Sequence, residues 1–127
     1  MSLRVTSQTR AVVTLQDKPI VIYATFGSLD EAQTIGRALV EARLAACVNI
    51  FPEIRAIFEW EGKLEEASET AMFIKTRTTL KSQVIEEVKR LHSYDVPALV
   101  ALEFSGGNED YLAWISDQTR LKAADRS

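Results

Sequence analysis

The chain has 127 residues, 46% of them apolar, enough to bury one core without disulfides or structural metal. A formal net charge of −3 and a pI near 5.2 argue against nucleic acid and membrane surfaces as partners, because both select basic patches. One cysteine, no signal-peptide pattern and no long apolar span make the cytoplasm the expected location.

Residues 1–18 read as an N-terminal extension. Met1-Ser2-Leu3 resembles a cloning scar, and Ala11-Val12-Val13 is the one apolar run before Lys18, suited to an edge strand or a contact with a neighbour. After Pro19, Ile20-Val21-Ile22-Tyr23-Ala24 has the short, continuous apolar character of a central strand buried on both faces. Ser28 followed by Glu31 makes a capping box, and Ala32, Ile35, Gly36, Leu39 and Val40 recur at helical spacing, so a helix is predicted from about Leu29 to Ala42.

Ala46-Cys47-Val48-Asn49-Ile50 begins a second strand, and Pro52, which lacks an N–H, places it at an edge or a bulge. Beyond it Ile54, Ala56, Phe58 and Trp60 alternate with Glu53, Arg55, Ile57 and Glu59. Glu61-Gly62-Lys63 turns the chain into a third strand with Met72 and Ile74 on one face and Ala71, Phe73 and Lys75 on the other. These arms exceed the usual strand of about 5–6 residues, so the outer part of the hairpin is expected to project beyond its sheet. Arg77-Thr78-Thr79 offers a helix cap, and Leu80, Val84, Val88 and Leu91 form the apolar stripe of a second helix ending near His92. Leu99-Val100-Ala101-Leu102 reads as another buried strand after Pro97. Asn108 then caps a third helix carrying Tyr111, Leu112 and Ile115 and ending around Arg120, before a tail over 121–127.

Strand, helix, hairpin, helix, strand is the split βαβ order of an α+β, ferredoxin-like βαββαβ domain, here spanning 19–120 with a long central hairpin and an added C-terminal helix. That topology leaves the Ala46–Trp60 arm at a sheet edge. A long apolar edge needs another chain over it, and closed cyclic symmetry would cover every subunit alike, so a homo-oligomer is expected.

Leu44-Ala45-Ala46-Cys47-Val48-Asn49-Ile50, then Trp60-Glu61-Gly62-Lys63, Lys75-Thr76, His92, Tyr94, Pro97 and Tyr111-Leu112-Ala113-Trp114 follow in an order that closely resembles the CutA divalent-cation tolerance family, from about Ile20 to Arg120. The resemblance implies a ferredoxin-like homotrimer related in architecture to PII signalling proteins, with copper binding and metal tolerance as its function. It also implies a cleft between subunits that gathers Lys75 with the cysteine, histidine and tyrosine positions. One departure stands out: where the family usually has His-Pro-Tyr-Glu, this chain has His92-Ser93-Tyr94-Asp95, and Ser93 leaves the loop more conformations to lose on ordering.

Each candidate has two readings. Cys47 shares a face with Ala45 and Asn49, where a free cysteine packs as a small hydrophobe, or it ligates copper, the soft thiolate suiting Cu(I). His92, the one histidine, either bonds the carbonyls of a helix end or ligates metal. One cysteine and one histidine cannot complete a tetrahedral nitrogen–sulfur zinc site, so a metal here needs shared or carboxylate ligands. Trp60 and Trp114 read as packing anchors, and Glu61, Lys63, Glu69 and Lys75 as charges along the hairpin. Trp60, Glu61, Lys75, Tyr94 and Asp95 are the candidate residues of the intersubunit cleft.

No Walker A, Gly-x-Ser-x-Gly, His-Glu-x-x-His or Cys-x-x-Cys pattern occurs, Thr25-Phe26-Gly27-Ser28 carries no basic cradle for phosphate, and the aromatic RNA-binding signature is missing. The expectation is a homotrimer that binds copper as Cu(I) or Cu(II) and catalyses nothing. The alternative is a PII-like sensor holding an anionic metabolite or nucleotide through Lys75.

Overall fold

The computed structural model describes residues 17–120. The expectations for the Ala11–Val13 run and for the 121–127 tail lie outside the described residues. A four-stranded antiparallel sheet carries the chain, in the spatial order β2 (Cys47–Trp60), β3 (Lys63–Arg77), β1 (Pro19–Phe26) and β4 (Leu99–Glu103). β1 (Pro19–Phe26) lies at its centre because Ile20, Val21, Ile22, Ala24 and Phe26 are apolar on both faces, and all are buried. One face, built from Ile20, Ile22, Ala24 and Phe26, packs with Met72 and Ile74 of β3 (Lys63–Arg77) against α1 (Leu29–Glu41) and α2 (Lys81–Leu91). Fully buried side chains such as Phe26, Leu39 and Ile74 each contribute roughly 1.5–3 kcal/mol.

Ser28 caps α1, its Oγ accepting from the Glu31 N–H at 3.1 Å. The second half of the expected capping box is redirected: the Glu31 carboxylate accepts from the Ser93 N–H at 2.7 Å and the Ser93 hydroxyl at 3.1 Å. The expected cap at Thr78 and Thr79 is also replaced. The 3-10 turn Thr78–Leu80 and α2 have no side-chain cap of their own. Instead Asp17 Oδ1 accepts from the Thr79 N–H at 3.2 Å and from its hydroxyl at 3.1 Å, so the segment before β1 supplies the acceptor.

β2 (Cys47–Trp60) pairs with β3 along its length, and Pro52 marks a bulge at which the register shifts between Phe51 and Ile54. The extra residue reverses the alternation. Val48 and Ile50 face the core before the bulge, whereas Ile54, Ala56, Phe58 and Trp60 share a face with Glu69, Ala67, Glu65 and Lys63, the face opposite the helices. Glu61 and Gly62, with φ of 51° and 80°, form a two-residue turn of the left-handed type that matches strand twist. β1 reaches only to Thr70, so Ile54–Trp60 and Lys63–Glu69 pair with each other alone and project from the sheet.

β4 (Leu99–Glu103) corrects another expectation. It is an edge strand bonded to β1 alone, and Val100 and Leu102 are 51% and 46% exposed rather than buried. α3 (Glu109–Gln118), capped by Asn108 Oδ1 on the Asp110 N–H at 3.0 Å, lies on the sheet face opposite α1 and α2. Lys75 and Arg77, which point away from the core, are the β3 residues that hold it.

Candidate functional site

The sequence candidates fall into separate places on one chain. Cys47, Lys75 and Val21 are neighbours across the ladder and therefore share the α3 face of the sheet. His92 lies on the other face, stacked on Phe26 with ring centroids 4.8 Å apart and planes 16° apart. Trp60 and Glu61 stand exposed at the hairpin tip, and Asp95 is exposed in the loop after α2. Among the described residues no group of three or more histidine, cysteine, aspartate and glutamate side chains is placed to hold a metal ion.

His92 is internally committed. Its side chain is fully shielded from solvent, and Nε2 lies 2.7 Å from the Thr25 carbonyl oxygen. A carbonyl only accepts, so Nε2 carries the proton; Nδ1 then accepts from the Tyr94 N–H at 3.0 Å. The neutral ring thus spends both nitrogens inside its own chain. Glu31 Oε2 lies 3.7 Å from Nδ1, but that nitrogen bears no proton in this tautomer, so the contact is no ion pair. As a metal ligand His92 would have to give up one of these bonds.

The loop is held despite the missing proline. The Glu31 carboxylate grips Ser93 by backbone and hydroxyl together, and the backbone bond is one that proline could not make. Tyr94 packs over Gly27, tilts against His92 at 4.8 Å and sends its hydroxyl to Glu69 Oε2 at 3.4 Å. Burial first, then the carboxylates of Glu69 and Glu31, push the Tyr94 phenol above its ordinary range. The neutral phenol therefore favours the fold below about pH 10, and this contribution is lost as the pH rises through the folded-state value. Glu69→Gln is expected to move the Tyr94 transition downward in an ultraviolet alkaline titration, identified by its loss in Tyr94→Phe; an unmoved transition would remove Glu69 as a cause.

On the opposite face Cys47 is half-buried, with Sγ 3.8 Å from Asn49 Oδ1, a weak contact that leaves the thiol unspent. Lys75 Nζ donates to the Tyr111 hydroxyl at 2.9 Å and lies 5.1 Å from that ring's centroid. No carboxylate among the described residues reaches Lys75 within ion-pair distance. Tyr111 was legible only as part of an apolar helix side, and Glu31 only as a cap; neither role could be read without the tertiary pairing.

A ferredoxin-like sheet with two helices on one face, a projecting central hairpin and a third helix on the other face defines a small α+β domain. The chain belongs to the CutA1 divalent ion tolerance protein family, whose pattern matches residues 20–118. It is 48% identical over 96 residues to the divalent-cation tolerance protein CutA of Archaeoglobus fulgidus, covering 76% of this chain and 93% of that one. It is 42% identical over 101 residues to the chloroplastic protein CutA of Arabidopsis thaliana, but there the match covers 80% of this chain and 56% of the longer relative. The crystal structure of CutA1 from Oryza sativa superimposes with a TM-score of 0.78 at 39% identity, covering 83% of this chain and 96% of that one.

Proposed function

We propose that this chain acts in divalent-metal tolerance as a cytoplasmic, non-catalytic homotrimer that binds copper, with Cys47 as the protein's own soft ligand and further ligands shared between subunits. The observation that carries this reading is the contrast between the two candidate donors: the Cys47 thiol is half-buried on an edge strand and unspent, whereas both nitrogens of His92 are bonded within the chain. Lys75, the cross-strand neighbour of Cys47, favours Cu(I), whose charge the thiolate cancels, over a divalent ion that the ammonium would repel.

Titration of the trimer with Cu(I), against zinc, tests this reading. Cys47→Ser is expected to weaken Cu(I) by about tenfold or more, roughly 1.4 kcal/mol, and far more than it weakens zinc. A Cys47→Ser trimer that binds Cu(I) like the parent would exclude the thiol as a ligand. A second reading is favoured by Lys75, whose polar partner is a neutral hydroxyl: an anionic metabolite or nucleotide would take the ammonium in a PII-like cleft. Calorimetric titration of the trimer with a nucleotide panel, beside Cu(I), separates the two.

A further inference from the structure

Asp17 divides one carboxylate between two elements. Ahead of α2, its Oδ1 accepts from the Thr79 N–H at 3.2 Å and from the Thr79 hydroxyl at 3.1 Å, and its Oδ2 accepts from Arg77 Nη1 at 2.7 Å. The Arg77 and Asp17 side chains are only 19% and 25% exposed, so solvent and salt screen the pair less than a surface ion pair.

Arg77 spends the rest of its donor fork on both neighbours. Nη1 also donates to the Thr79 hydroxyl at 2.8 Å, while Nε donates to the Thr119 hydroxyl at 2.9 Å and Nη2 to the Thr119 carbonyl at 3.2 Å. Thr119 is buried and ends α3, where the helix dipole is negative and favours a cation. One planar group thus joins the segment before β1, the end of β3, the approach to α2 and the end of α3. All these bonds lie within one chain, at the end of the sheet where Pro19 pairs with Arg77. The hairpin projects from the other end, beyond the pairing of Phe26 with Thr70, so each subunit of an assembly carries the junction complete.

A guanidinium is rigid, so its four bonds are not independent. The carboxylate that fixes Nη1 fixes the plane, and the plane decides whether Nε and Nη2 meet Thr119. Asp17 is the one carboxylate within ion-pair distance of Arg77 among the described residues. Without that charge Arg77 is a part-buried, unpaired cation, which gains hydration and rotamer freedom by swinging out. The Thr119 carbonyl then loses its guanidinium donor, and Arg43, which donates to the Gln118 carbonyl at 3.0 Å, holds the neighbouring residue instead.

We propose that Asp17 is a positioning residue for α3: by orienting Arg77 it fastens the carboxyl end of the helix to the sheet. The family pattern matches residues 20–118, so Asp17 lies before it and family membership does not supply this role. The same helix brings the Tyr111 hydroxyl to Lys75, so the placement that Asp17 secures is the one in which Lys75 has its partner.

Asp17→Asn in the full-length, assembled protein tests this. Asparagine keeps an oxygen for Thr79 and loses the charge that orients Arg77. Exchange of the Thr119 and Arg120 amides, bonded to the Ser116 and Asp117 carbonyls, is expected to rise by about fivefold, while the Thr79 amide stays within about twofold of the parent. Unchanged exchange at 119–120 would make Asp17 a local cap and overturn the proposal, as would equal acceleration throughout α2 and α3. Arg77→Gln alone should reproduce the rise at 119–120, and adding Asp17→Asn to it should change those rates by less than about twofold. Effects of the two substitutions that multiply would show that Asp17 does not act through Arg77 and would overturn the proposal as well.

Discussion

His92→Ala is expected to destabilise the fold by about 3 kcal/mol, and to do so without altering Cu(I) binding by the molecules that remain folded. Three losses add up. The ring fills a shielded site against Phe26, and its removal leaves a cavity beside one of the largest core side chains. The Thr25 carbonyl loses its Nε2–H donor at 2.7 Å, and an orphaned buried acceptor costs roughly 1–3 kcal/mol. The Tyr94 N–H loses Nδ1 as its acceptor, which loosens the loop that Glu31 otherwise holds through Ser93. Chemical denaturation gives the stability loss, and Cu(I) titration in the native baseline gives the affinity. His92→Phe sharpens the test: it restores ring volume but neither hydrogen bond, so it should recover only the cavity part. A variant as stable as the parent but weakened in Cu(I) affinity would make His92 a ligand and reverse the assignment.

The fold was legible because its signals are local or periodic. β1 announces itself by an unbroken apolar run, α1 by Ser28 and the spacing of Ala32, Ile35 and Leu39, and the bulge by Pro52 in the middle of a strand pattern. The composition of β4, Leu99-Val100-Ala101-Leu102, matches a central strand and so predicts burial that the single chain does not supply. Composition reports that both faces are apolar, not whether the same chain covers them. The cap at Thr78 and Thr79 failed for a related reason: their acceptor is Asp17, distant in sequence and brought alongside only by the pairing of Pro19 with Arg77.

The candidate site was less legible, since its meaning depends on faces rather than on spacing. Cys47 and His92 are both candidate ligands in the sequence, each with a packing or capping alternative, and the register puts Cys47 beside Lys75 while the stack on Phe26 puts His92 on the other side of the sheet. Ser93 in place of proline predicts a less rigid loop, because proline fixes φ. The sequence held no sign that Glu31, sixty-two residues away, would take the Ser93 N–H and hydroxyl together. Residue identity specifies what a group can donate or accept; only the fold specifies which partner it meets.

In dilute solution the protein is expected to scatter light as a trimer, with about three times the 14.2 kDa mass of one chain, and to lose that mass only on unfolding. The argument starts from the hairpin. Ile54–Trp60 and Lys63–Glu69 pair only with each other, and an isolated two-stranded ribbon is marginal in water. Yet this ribbon carries Ile57, Phe58, Trp60 and Leu64 at exposures of 65%, 43%, 63% and 81%. Val100 and Leu102 are half-exposed on β4, and β2 and β4 are both edges of the sheet. Two unlike edges join head to tail, and such contacts must close into a ring if they are not to grow into a fibre; threefold closure is what the family resemblance implies. Phe58→Glu places a charge on the face that Ala56 and Trp60 share, and it should convert the protein to monomers with a melting temperature lower by roughly ten degrees or more, several kcal/mol of lost burial. The parent should melt in one transition whose midpoint rises with protein concentration. A parent that is monomeric at micromolar concentration with its hairpin amides protected from exchange would show that the ribbon stands without a partner, and the assembly reading would go with it.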